Sequence, residues 1–63
     1  MRIAENIAAR RAELNLTQEE LAEKVGVTQA FISLVEKGFK TPSVEVTKRL
    51  ADALDTTIDE LVS

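Results

Sequence analysis

The 63-residue chain contains no cysteine, histidine, tryptophan or tyrosine. No disulfide can staple it, and the usual zinc ligands, thiol nucleophile and neutral-pH general base are missing. The nearest catalytic candidates are Asp and Glu at solvent-facing helix starts with lysine neighbours, which form no positioned constellation, so the chain does not read as an enzyme. No cofactor, metal or small-molecule substrate is expected. Long apolar runs are absent as well. None exceeds three residues, as in Ile7-Ala8-Ala9, which excludes a bilayer span and a signal-peptide core after Arg2. The chain reads as intracellular, with no membrane partner.

What is present is 44% hydrophobic and 30% charged residues, a balance that fits one domain over residues 1–63 rather than a disordered chain. A chain of about 60 residues buries only roughly 60% of the surface its unfolded form exposes, close to the lower limit for folding unaided. Net charge is −3 and the isoelectric point is near 4.8, which taken alone argues against a nucleic-acid partner. The distribution argues otherwise. Residues 37–49 carry Lys37, Lys40, Lys48 and Arg49 against Glu45 alone, whereas residues 52–63 carry Asp52, Asp55, Asp59 and Glu60 with no cation. One end is basic and the other acidic.

No segment alternates apolar and polar over a strand length, while apolar residues recur at spacings of three and four, so the fold class is all-α. Ile3, Ile7 and Leu14 share a face of a first helix that ends near Asn15, a residue tolerant of left-handed geometry. Thr17-Gln18-Glu19-Glu20 is a capping box that opens a second helix with Leu21, Ala22 and Val25 inward, closed by Gly26. Thr28 caps a third helix, with Ile32 and Val35 inward, which ends at Gly38. Pro42 cannot continue a helix, and Ser43 caps a fourth whose inward set is Val44, Thr47, Leu50, Ala51 and Leu54. Asp55-Thr56 breaks it, and a second capping box, Thr57-Ile58-Asp59-Glu60, opens a short fifth helix. No repeat or flexible linker interrupts the series.

Two short helices joined by a turn of about three residues with glycine at its start follow the helix-turn-helix plan, in which the second helix projects its N-terminal half into a major groove. The run Leu16-Thr17-Gln18-Glu19-Glu20-Leu21-Ala22-Glu23-Lys24-Val25-Gly26-Val27, followed by Ile32-Ser33-Leu34-Val35-Glu36-Lys37-Gly38, resembles the lambda-repressor-like (Xre/Cro) family. Pro42-Ser43, Leu50-Ala51-Asp52-Ala53-Leu54 and Ile58-Asp59-Glu60-Leu61 extend the likeness over nearly the whole chain. The resemblance implies a compact five-helix domain that binds double-stranded DNA, acts as a prokaryotic or phage repressor in the bacterial cytoplasm or an infected host, and dimerises on a near-palindromic operator.

By the same resemblance, Gln29, Ala30, Ser33 and Leu34 fall where the family meets base edges and Thr28 where it touches phosphate. Gln29 is the strongest reader, because an amide donates to and accepts from one adenine edge at once. Ala30 and Leu34 offer only apolar contact to thymine methyls, so DNA shape must supplement a thin direct code. Leu34 is equally an exposed leucine or a contact to a protein partner. Gln18 lies at a helix N-terminus, suited to clamping a phosphate as well as to capping. Thr41 and Ser43 open the fourth helix in the same way, and Lys37 and Lys40 supply cations. Glu36 sits at the unfavourable end of a helix dipole and needs compensation. The resemblance assigns that role to Arg11, as a structural ion pair that sets the angle of the third helix.

Phe31 is expected to pack over the second helix. Phe39 is left open between packing under its loop and contacting DNA or another subunit. A homodimer interface is expected around Pro42, Val44, Val46, Ile58, Leu61 and Val62, with Val46, facing away from the Leu50 stripe, the most telling. A competing reading from another class is an antitoxin or protein-interaction adaptor that uses the Phe31, Leu34 and Phe39 edge.

Overall fold

The computed structural model describes residues 2–63. The chain forms five helices: α1 (Ile3–Glu13), α2 (Gln18–Val25), α3 (Gln29–Glu36), α4 (Val44–Ala53) and α5 (Ile58–Val62). Each start after the first is written in local chemistry. The hydroxyls of Thr17, Thr28, Ser43 and Thr57 accept the backbone N–H of Glu20, Phe31, Val46 and Glu60, satisfying donors that a helix N-terminus leaves free. The ends are equally local. Gly26 and Gly38 adopt positive φ, and Asn15 and Asp55 take the same left-handed geometry behind α1 and α4. At all four ends a backbone N–H returns to a carbonyl five residues earlier: Leu16 to Arg11, Val27 to Ala22, Phe39 to Leu34 and Thr56 to Ala51.

Helices this short are marginal alone, and packing holds them. α2 lies against α3 and α4, while α1 lies against α3 and α5. Ile7, Leu21, Ile32, Val35, Leu50, Leu54 and Leu61 are fully buried in one cluster, each contributing about 1.5–3 kcal/mol relative to exposure. Thr47 is buried among them and donates its hydroxyl to the Ser43 carbonyl at 2.7 Å.

Helix α1 also acts as a clamp through its polar residues. Asn6 Nδ2 donates to the Leu61 carbonyl at 2.9 Å, and Arg10 donates through Nε to Leu54 O at 2.9 Å and through Nη2 to Asp55 O at 3.0 Å. These carbonyls belong to the closing turns of α5 and α4, where donors are lacking and positive charge is favoured.

Three sequence expectations need correction. Leu14 does not share the buried face of Ile7: the helix ends at Glu13, Leu14 sits at its cap, 36% exposed, and Leu16 packs on the core instead. Val44 is not inward but 83% exposed, whereas Val46 packs against the core. Side chains tilt toward a helix N-terminus, so the first residue of α4 projects past the end of its helix. The box at α5 is only half formed, because the Glu60 carboxylate accepts from the Thr56 hydroxyl at 3.2 Å.

Candidate nucleic-acid interface

Helix α3 has two faces. Ile32 and Val35 are buried and Phe31 is half-buried against the core, while Gln29, Ala30 and Leu34 are exposed and Ser33 is half-exposed. At about 100° per residue, positions 29, 30, 33, 34 and 37 span roughly 140° of the helix surface, and this arc is open to solvent. Gln29 and Ala30 stand in the first turn, directly behind the Thr28 cap.

Groups that can hold phosphate cap α3 and lie along the segment that leads from it into α4. Thr28 and Ser43 spend a lone pair on their caps, which leaves each hydroxyl proton free to be donated. Thr41 is exposed beside Ser43. Among the described residues, neither Lys37 nor Lys40 has a carboxylate within salt-bridge reach. The Lys40 ammonium lies 5.6 Å from the centre of the Phe31 ring, a cation–π placement that holds the charge beside α3. Arg49, by contrast, is engaged by Glu45 at 2.7 Å. Lys37 and Lys40 thus stand without ionic partners at the α3 end of the basic segment, as Lys48 does on α4 among the described residues.

Behind this face lies a polar joint. Arg11 Nε and Nη2 reach the two oxygens of Glu36 at 2.7 and 3.1 Å, and Arg11 Nη1 donates to Leu16 O at 2.8 Å. The Glu36 side chain is 7% exposed and the Arg11 side chain 21%. Hydrogen bonding to Glu36 raises Arg11 above its ordinary value, so the arginine stays charged. Gln18 joins them, donating Nε2 to Glu36 Oε1 at 3.0 Å. The first side chain of α2 is thus turned toward α3 rather than outward, with its second amide hydrogen and its carbonyl oxygen left over for other partners.

The expected self-association residues separate. Leu61 is 2% exposed and belongs to the core, and Pro42 is buried, so neither offers surface to a second copy. Hydrophobicity alone does not distinguish an interior from an interface. Val46, Ile58 and Val62 are half-buried, the first two packed against the core, and Val44 stands open. Phe39 does not pack under its loop: it is 77% exposed. Sequence reasoning missed Asn6 and Arg10. Their only signal was a pair of polar residues one turn apart, directly before and one turn after the buried Ile7 position, too common to single out.

Two short helices joined through a left-handed glycine, seated on a helical body with the outer arc of the second left open, define a helix-turn-helix domain. A family model described as helix-turn-helix matches residues 7–61, and the chain belongs to that family. It is 54% identical over 48 residues to an uncharacterized HTH-type transcriptional regulator of Methanothermobacter thermautotrophicus, covering 76% of this chain and 70% of that protein. The DNA-binding domain of the P22 C2 repressor superposes with a TM-score of 0.94 at 34% identity, over 98% of this chain and 82% of that one. The biofilm regulator SinR, solved in complex with DNA, superposes with a TM-score of 0.91 at 29% identity, over 97% and 98% of the two chains. No helix among the described residues is long and apolar enough to cross a membrane.

Proposed function

We propose that the protein is a sequence-specific DNA-binding transcriptional regulator that acts by repression, laying α3 in the major groove of an operator. The family is one of DNA-binding regulators rather than enzymes. One observation carries the reading: the open arc of α3, from Gln29 to Leu34, is flanked by two cap hydroxyls and by two lysines without ionic partners. Gln29 reads an adenine edge, Ala30 and Leu34 meet thymine methyls, and Ser33 donates to a base or to the adjacent backbone. Thr28, Thr41, Ser43, Lys37, Lys40 and the free amide hydrogen of Gln18 hold phosphates, fixing register without reading sequence. The likeness to the P22 repressor domain and to SinR supports this assignment.

Residues 1–63 work here as one unit, and two copies bind together. The largest extent of the fold is 24 Å, whereas successive major grooves on one side of the duplex are about 34 Å apart, so one copy serves one half-site. A two-fold pair of half-sites makes the operator pseudo-palindromic. Selection of purified protein on a randomised duplex library tests the reading. The expected pool holds paired A/T-rich half-sites with one preferred adenine. A pool dominated by guanine removes Gln29 as the reader, and retention of no duplex removes the function.

A further inference from the structure

Phe39 is a large apolar ring held in water. It is 77% exposed, and the backbone beneath it has no slack. Its N–H donates to the Leu34 carbonyl at 2.9 Å, the Gly38 N–H donates to Val35 O at 3.0 Å, and Gly38 sits in the left-handed region. Three residues on, buried Pro42 and the Ser43 cap fix the other end of the loop. The ring therefore stays outside because the backbone aims it there, and presenting it costs little further ordering on binding.

The unpaired charges nearest it along the chain are of one sign. Lys37 and Lys40 flank it without carboxylate partners, and the nearest acids along the chain are already engaged, Glu36 by Arg11 and Glu45 by Arg49. An apolar partner surface would gain nothing from these cations, whereas a polyanion whose charges alternate with apolar edges matches both features. The nucleic-acid backbone has that pattern, with phosphates separated by the C–H edges of the sugars. We propose that Phe39 packs on a deoxyribose of the strand whose phosphates Lys37 and Lys40 hold, making it an apolar anchor at the rim of the α3 groove contact. The assignment rests on the DNA-binding reading and deepens it, since sugar contacts position a protein without reading bases.

The test compares Phe39→Ala, Phe39→Leu and Lys40→Ala on the selected operator and on an unrelated duplex across a salt series, with thermal melts to check folding. Phe39→Ala is expected to bind both duplexes roughly five- to thirtyfold more weakly, with the slope of log K against log salt unchanged, because an uncharged ring releases no counterions. Phe39→Leu keeps most of the affinity, and Lys40→Ala lowers the slope by about one. Wild-type affinity in Phe39→Ala overturns the proposal while leaving the DNA-binding reading intact. So does a loss confined to the operator, which makes the ring a base reader, or a loss of self-association with DNA affinity unchanged, which makes the occupant a second copy. Failure of the wild type to bind any duplex removes the underlying reading, and this proposal with it.

Discussion

Arg11 grips both oxygens of Glu36, at 2.7 and 3.1 Å, and so joins the last turn of α1 to the last residue of α3 across 25 positions of sequence. The fork fixes direction as well as distance. Because Gln18 donates to the same carboxylate, three helices meet at one acid, and we propose that this joint sets the angle at which α3 leaves the body. Removing the arginine leaves a carboxylate that is 7% exposed with a single neutral donor. Arg11→Ala is expected to cost about 3 kcal/mol in urea denaturation. The double variant Arg11→Met, Glu36→Leu should recover much of that loss, since apolar replacement of both partners removes the stranded charge. A loss below about 0.5 kcal/mol in Arg11→Ala would show that the joint does not hold the fold.

Gln29 follows the Thr28 cap in the first turn of α3, where its amide stands clear of the body. Gln29→Ala should lower discrimination at the preferred adenine by about 1–3 kcal/mol, measured as the ratio of affinities for operator and single-substituted operator. Binding to unrelated duplex should hardly change, because the residue carries no charge. An unaltered ratio would move base reading elsewhere on α3.

Lys37→Ala has the opposite signature. Among the described residues the side chain has no ionic partner to lose, so folding stability should stay within about 0.5 kcal/mol. Affinity should fall alike on all duplexes, and the salt slope should drop by about one. A steepened or unchanged slope would place this lysine away from phosphate.

Glu20 gives the fold a small dependence on acidity. The Thr17 backbone N–H donates to its carboxylate at 2.8 Å and holds it below its ordinary value of 4.5. A depressed carboxyl contributes stability that is complete above the unfolded value and is lost as pH falls through the lower folded value. The wild type should therefore melt above Glu20→Gln at about pH 6, and the gap should close towards about pH 3. A gap that widens in acid would contradict the sign.

Much of this was legible in the sequence because it is local. Thr17, Thr28 and Ser43 cap from three residues away, and Gly26 and Gly38 close the turns on either side of α3. What was not legible depends on where the body lies in space. Helical period assigns Val44 and Val46 to opposite flanks of the Leu50 stripe without telling which flank is covered, and the structure covers Val46. Asn6 and Arg10 act on carbonyls 55 and 44 positions away, and no spacing rule reaches that far. At α5, two adjacent threonines compete for one carboxylate, and Glu60 takes Thr56.

The exchange of Val44 and Val46 redirects the dimer experiment. With Leu61 and Pro42 inside the fold, Val44 is the open apolar residue left among those expected at the interface. It stands at the first position of α4, where a carboxylate is favoured by the helix dipole, so Val44→Asp should fold at least as well as the wild type. Placed near a two-fold axis, the same change sets two like charges against each other and removes the apolar contact. Titration of a duplex carrying two half-sites separates this from any direct effect on DNA affinity. The wild type should fill both sites cooperatively, and Val44→Asp should fill them independently, whatever its affinity for one. Undiminished cooperativity in the variant would assign the pairing surface to the half-buried Val46 of α4 and Ile58 and Val62 of α5 instead.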